Sequence, residues 1–242
     1  LATYSYELNN KKAPFDNVNV RKALNLSLDR NVITDKVLGQ GQTPTYVFTP
    51  TYIEEGQLIQ QPAYSKEPMA QRNEEAIKLL EEAGYSKANP LKFSILYNTN
   101  ENHKKVAIAA ASMWKANTKG LIDVKLENQE WKTYIDSRRA GRYDAARAGW
   151  NADYNQATTF GNYFLSNSSN NTAKYANPEY DKAIAESYVA TDAEGRAKAY
   201  AKAEEILAKD FGIVPIFNYV NPRLVKPYVK GYSGKDPQDH IY

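Results

Sequence analysis

Hydrophobic positions change their spacing several times along the chain, and each change marks an element. Tyr4, Tyr6 and Leu8 alternate with other residues, so residues 1–15 begin as a strand and end near Pro14. From 16 to 38, Val18, Val20, Ala23, Leu24, Leu28, Ile33 and Val37 recur at helical spacing, with Asp16 or Asn17 placed to cap the start. Residues 42–72, rich in Pro, Thr, Gln and Tyr, have no sustained period and predict a long loop of the kind that tends to carry function. A second helix is predicted over 74–83, with Gly84 just past its end.

The next stretch is the most regular. Residues 91–97 read as a strand, and 103–115 as a helix with Val106, Ala110, Met113 and Trp114 on one side. Strand 122–126, helix 131–139 and strand 143–149 follow. This β-α-β-α-β order is the grammar of a parallel sheet covered by helices, in which ligands gather beyond the carboxyl ends of the strands. Residues 150–175 break the rhythm. Helices follow over 178–190 and 194–209, then a last strand over 213–220 in which Pro215 predicts an edge or a bulge. There is no internal repeat and no linker-like stretch, so one α/β domain with crossing segments is expected.

Composition removes several kinds of function. The 242 residues include no Cys, which excludes a disulfide framework, a thiol nucleophile and a Cys-based zinc site. No apolar run approaches the ~20 residues of a membrane-spanning helix. The chain opens on Leu1-Ala2-Thr3-Tyr4 with no initiator Met or signal peptide, and so reads as the middle of something. Against 31 basic residues stand 28 acidic ones, interleaved throughout, which argues against a nucleic-acid partner. A P-loop is absent: Gly231-Tyr-Ser-Gly-Lys235-Asp236 has neither the spacing nor the terminal hydroxyl. The two histidines, His103 and His240, lie far apart, with nothing in the spacing to build a metal site or a Ser-His-Asp triad around either. No metal and no cofactor are expected. Acidic residues are plentiful, so a hydrolase with paired carboxylates stays open as an alternative.

Aromatic residues are abundant, with 19 Tyr, 7 Phe and 3 Trp, which suits a surface both sticky and wet as well as a half-buried core. Within Arg147-Ala-Gly-Trp-Asn-Ala-Asp153, a strand delivers an Arg, Gly149 permits a turn or a close approach, Trp150 offers a flat face and Asp153 a carboxylate. Arg clamps a carboxylate and Asp holds an ammonium, so the pair matches a zwitterion such as a free peptide. The structural alternative is that Arg147 and Asp153 pair with each other, or with Asp144 and Arg138.

Asn128-Gln-Glu-Trp-Lys-Thr-Tyr134, Asp136-Ser-Arg138 and Ala146-Arg-Ala-Gly-Trp-Asn-Ala-Asp-Tyr-Asn155 resemble the periplasmic oligopeptide-binding proteins of bacterial peptide ABC importers, extracellular solute-binding protein family 5. Phe15-Asp-Asn-Val-Asn-Val-Arg-Lys-Ala-Leu24, Leu80-Glu-Glu-Ala-Gly-Tyr85, Leu96-Tyr-Asn-Thr99 and Arg223-Leu-Val-Lys-Pro227 extend the resemblance almost end to end. It implies a periplasmic-binding-protein type II-like lobe, domain III of a cluster C peptide binder, with a central mixed sheet flanked by helices. On that reading 1–15 is a crossing strand segment, 16–211 the lobe, and 212–242 a return segment toward domain I. Implied partners are short peptides and a membrane permease, and the implied state is a periplasmic monomer, not an enzyme. A murein-tripeptide binder of the same family is the alternative.

Site roles implied by the resemblance are specific. Asp153 matches the acid that meets a peptide's α-ammonium and Arg147 a cation that meets its carboxylate. Arg138 and His103 fall near the ligand's far end. Trp131 and Trp150 match walls of side-chain pockets, and Tyr219 a residue lining the cleft. Asn155 and the Asn170-Asn171 pair complete the set. Where some members carry a Lys near Leu38 that balances longer peptides, this chain has none, so peptide length is not implied.

Overall fold

The computed structural model describes residues 1–221 and 224–231. Six strands form one mixed sheet in the order β2-β6-β1-β5-β3-β4. They are β1 (Ala2–Leu8), β2 (Thr43–Pro44), β3 (Leu91–Asn98), β4 (Ile122–Gln129), β5 (Ala145–Asn151) and β6 (Ile213–Asn218). β3 runs parallel to both β4 and β5, whereas β1 is antiparallel to β5 and β6. The chain leaves β3 through α3 (Glu101–Asn117) to reach β4, then through α4 (Trp131–Arg139) to reach β5 on the other side of β3.

Those two helices cover opposite faces. On one, Val106, Ala110 and Trp114 of α3 join Leu24 of α1 (Val18–Leu26), Leu80 of α2 (Met69–Glu82), and Tyr4, Tyr6 and Phe93 of the sheet in the larger core. The Trp114 indole N–H donates to the Leu24 carbonyl at 2.9 Å and ties α3 to α1. On the other, Tyr134 of α4 packs with Leu96, Tyr143 and Ala146. Beside it Phe48, Phe160, Tyr163 and Phe164 meet α6 (Pro178–Val189) and α7 (Ala193–Lys209) through Ile184, Tyr200 and Leu207. Every residue of β1 is therefore buried, the polar alternates as well as Tyr4, Tyr6 and Leu8.

Element boundaries differ from expectation where tertiary contacts intervene. The single helix expected over 16–38 is divided. α1, capped by Asn17, ends at Leu26, and a π-helical stretch Val32–Leu38 follows, closed by Gly39 at φ +64. Between them Arg30 turns fully inward, donating to the Pro215 carbonyl at 2.7 Å, with its guanidinium 4.1 Å from the Tyr46 ring. A continuous helix would have no way to send that side chain to β6. α2 begins at Met69, earlier than expected, and ends with Gly84 at φ +90. Short helical turns at Thr158–Gly161 (α5) and Asn162–Phe164 interrupt a segment that reads as irregular. Pro215 sits at a bulge: Tyr4 pairs with Phe217 and Ser5 with Pro215, so Ile216 is skipped. On the outer side β2 contacts only Asn218 and Phe217, so the missing N–H of Pro215 interrupts no ladder there.

Candidate functional site

β5 carries the motif singled out above, and its alternation sends Arg147 and Trp150 to opposite faces of the sheet. Tyr6 lies opposite Arg147, Tyr4 opposite Gly149 and Thr3 opposite Trp150. Gly149 makes no turn; it stays within the strand. A Cβ there would lie 3.1 Å from Arg147 Nη2 and 3.5 Å from the Tyr219 hydroxyl, so its hydrogen leaves room for the guanidinium to lie flat along the strand. Of the two roles expected of Gly149, a turn or a close approach, it takes the second; the chain turns only after Asn151.

On the α3 face, Arg147 Nη2 donates to the Tyr219 hydroxyl at 2.7 Å, and the guanidinium carbon stands 5.3 Å from the Tyr4 ring centroid. His103, in the first turn of α3, places its ring 5.6 Å from Tyr4. Burial, then the positive charge of Arg147, lowers the His103 pKa to about 3, so the imidazole is neutral at physiological pH. Arg147 Nε and His103 Nδ1 are both buried and without a hydrogen-bond partner. Three distant segments thus converge on Arg147, two of whose neighbours, His103 and Tyr219, were expected at the site.

The α4 face gathers the others. Trp150 donates from its indole N–H to the Thr159 hydroxyl at 3.1 Å and meets Tyr163 edge-on at 4.9 Å. Asp153, exposed beyond the strand end, accepts from the same Thr159 hydroxyl at 3.0 Å. Asn155, also exposed, accepts from the Glu54 amide at 3.3 Å. Trp131 is 54% exposed and stacks on Tyr134, whose hydroxyl donates to the Arg147 carbonyl. Arg138 is engaged by Glu7, to which it donates at 3.0 and 2.9 Å through two nitrogens. A cavity of about 170 Å³ opens between α4, β5 and the 163–172 segment, lined by Arg138, Arg139, Trp150, Tyr163 and Asn170 among others.

Asn171 takes a different place from the one expected. It is buried, its amide N–H groups donate to the Leu165 and Tyr175 carbonyls at 3.1 and 2.7 Å, and its oxygen accepts from the Tyr175 amide at 3.2 Å. It shapes the loop from inside, while its neighbour Asn170 faces the cavity. Among the described residues no Arg147–Asp153 ion pair occurs: Arg147 bonds Tyr219, and Asp153 bonds Thr159. Sequence reasoning missed Glu7, Tyr134, Thr159 and Tyr163. The one available signal was Glu7, a charge inside an alternating strand.

Among the described residues, no group of three or more His, Cys, Asp and Glu side chains converges as for a metal ion, and no helix is long and apolar enough to cross a membrane. Arg223, Lys235, Asp236 and His240 lie outside the described residues.

Comparison with known proteins agrees with this architecture. Over all its residues the chain is 97% identical to the periplasmic oligopeptide-binding protein OppA of Haemophilus influenzae, of which it covers 45%. It is 44% identical to the periplasmic murein peptide-binding protein MppA of Escherichia coli, of which it covers 44%. A crystal structure of H. influenzae OppA in complex with RPPGFSPFR superposes with a TM-score of 0.96 at 96% identity, covering all of this chain and 47% of that one. E. coli MppA gives 0.90 at 44% identity, covering 99% of this chain and 46% of that one. The chain thus spans about half the length of the curated relatives it matches. Residues 1–172 match the model described as bacterial extracellular solute-binding proteins, family 5 Middle. With that match over most of its length and this fold, the chain belongs to the bacterial extracellular solute-binding proteins of family 5.

Proposed function

We propose that this chain is one wall of a peptide-binding cleft, belonging to the solute-binding component of a periplasmic peptide importer. The observation that carries the reading is Arg147: a largely buried guanidinium that forms no ion pair with a carboxylate among the described residues and whose Nε has no partner. A buried charge ordinarily has a counter-ion, and the α-carboxylate of a short peptide supplies one. His103, neutral beside it, avoids adding a second positive charge and offers an uncommitted Nδ1. Asp153 and Trp150 provide an exposed acid for the α-ammonium and a flat apolar face for a side chain, with Trp131, Asn155 and Tyr219 completing the lining and Arg138 behind it.

Gripping main chain and termini while leaving side chains in wet pockets gives affinity without sequence preference, because bridging waters accommodate different side chains at little cost. Residues 1–15 and 212–242 are assigned as the crossing and return segments that link lobe 16–211 to the remainder of the polypeptide; the last part of the return lies outside the described residues. β1 and β6, which pair with each other in the sheet, support that assignment. The partner in transport is a membrane permease, and the protein acts as a monomer without nucleic acid. Oligopeptides are favoured over murein tripeptide as cargo, because identity to the oligopeptide-binding relative is 97% against 44% to the murein binder.

Isothermal calorimetry with RPPGFSPFR and with trialanine tests the reading. A full-length polypeptide carrying this lobe is expected to bind, and the present chain alone to bind at best weakly, since half of the cleft wall is absent from it. Micromolar or tighter binding of trialanine by the present chain contradicts the two-walled cleft. Mass spectra of the peptide are expected to be unchanged after incubation; cleaved product favours a hydrolase.

A further inference from the structure

Glu7 stands behind Arg138 in the site, and four hydrogen bonds converge on it. Its carboxylate is fully buried on β1 and accepts from Arg138 Nε and Nη2 at 3.0 and 2.9 Å, from the Tyr163 hydroxyl at 2.7 Å and from the Thr172 hydroxyl at 2.5 Å. The donors come from α4, the Asn162–Phe164 turn and the loop before α6, the elements that border the 170 Å³ cavity. Trp150 in turn leans on Tyr163. Among the described residues no carboxylate lines that cavity. Its charged lining residues are Arg138, 13% exposed at the side chain, and Arg139, which lies out in water.

We propose that Glu7 sets the side-chain tolerance of this cavity by cancelling the charge of Arg138 from behind the wall. The inference rests on the peptide-binding reading and adds a specificity-determining residue to it. An uncompensated guanidinium at low local dielectric attracts an acidic ligand side chain and repels a basic one over several ångströms. A two-pronged ion pair reduces that field to a short-range dipole; Nη2 also donates to the Tyr163 hydroxyl, which leaves the Nη1 N–H groups as weakly charged donors toward water. Arg139 adds little discrimination, because exposed charges are screened. The cavity thereby accepts acidic, neutral and basic side chains with similar affinity, which a transporter of unselected peptides requires.

The test titrates a full-length polypeptide carrying this lobe with tripeptides of alanine in which Glu, Gln or Lys occupies each position in turn. For the unaltered protein the Glu-to-Lys affinity ratio is expected to stay near unity at the position that enters the cavity. Glu7→Gln keeps the shape of the side chain and is expected to shift that ratio toward Glu by about tenfold. The double variant Glu7→Gln with Arg138→Gln is expected to return the ratio to that of the unaltered protein, a recovery that a merely structural role for Glu7 does not produce. If Glu7→Gln does not fold, Arg138→Gln carries the test and is expected to shift the ratio toward Lys. An unmoved ratio in a folded single variant, or a double variant that stays shifted, overturns the proposal. Failure of the unaltered protein to bind any of the peptides overturns the peptide reading and this inference together, whereas binding with unmoved ratios overturns only the role of Glu7.

Discussion

Thr159 holds Asp153 from two sides: its hydroxyl donates to the Asp153 carboxylate at 3.0 Å and accepts from the Asp153 amide at 3.2 Å. The same oxygen accepts from the Trp150 indole at 3.1 Å. One buried hydroxyl therefore orients both the acid and the aromatic face assigned to the ligand, and it comes from α5, a turn of only four residues.

Thr159→Val removes that hydroxyl while keeping the volume. The Trp150 indole and the Asp153 amide, both at partly buried bonds, then lose their acceptor, so stability is expected to fall by about 1–1.5 kcal/mol, the net range for a typical hydrogen bond. Urea denaturation followed by tryptophan fluorescence measures it. A change within about 0.5 kcal/mol, typical of an inconsequential substitution, means the hydroxyl holds nothing.

Asp153→Asn removes the charge but not the shape. In a full-length context it is expected to weaken free-amine tripeptides by roughly tenfold to a hundredfold, from the ~1.5–3 kcal/mol of a charge-assisted hydrogen bond. N-acetylated versions of the same peptides are expected to lose little. Equal losses in the two series take Asp153 out of the ammonium role.

Gly149→Ala places a methyl group 3.1 Å from Arg147 Nη2, and the end of a flexible side chain gives way before the strand does. The fold is expected to survive with a melting temperature within a few degrees of the original. Peptides with a free carboxylate are expected to bind more weakly, and C-terminally amidated ones to change less. Undiminished binding of free-acid peptides shows that the position of the Arg147 guanidinium does not matter.

His103 gives stability a distinct pH dependence. With the native pKa lowered to about 3 by burial and by Arg147, the ring is neutral in the fold, while in the unfolded chain it takes up a proton below its ordinary 6.5. The unfolded state then binds more protons, so stability falls as pH drops from 6.5 toward 3. Arg147 and Tyr4 are the titratable groups whose charge or ring faces it. Most carboxylates titrate below about pH 5, which leaves 5 to 6.5 as the informative window. His103→Gln is expected to flatten the fall of stability across that window; His240, present in both proteins, cancels in the comparison.

Much of the architecture is legible in the chain because its causes are local. Strand–helix alternation over 91–149 follows from side-chain periodicity, Asn17 caps α1, and Gly84 takes the positive φ that ends α2. The motif Arg147-Ala-Gly-Trp150 can likewise be singled out from neighbouring residue types, as can Asp153 beyond it.

What local pattern leaves open is which surfaces are covered and which distant residues meet. Glu7 reads as the outward alternate of a half-buried strand, until the strand order places β1 between β5 and β6 with helices on both faces and makes its carboxylate a buried acceptor. Asn171 reads as a polar loop residue free to meet a ligand, but the turn around it consumes its amide. Chain chemistry alone supplied the ingredients: the β-α-β-α-β core, the arginine, the tryptophan and the aspartate. Tertiary packing alone decided that Arg147 meets His103 and Tyr219 on one face while Trp150 and Arg138 meet Tyr163 on the other. Alternation of side chains along β5 puts Arg147 and Trp150 on opposite faces, but the partners each one meets arrive through long-range packing and leave no mark on sequence spacing.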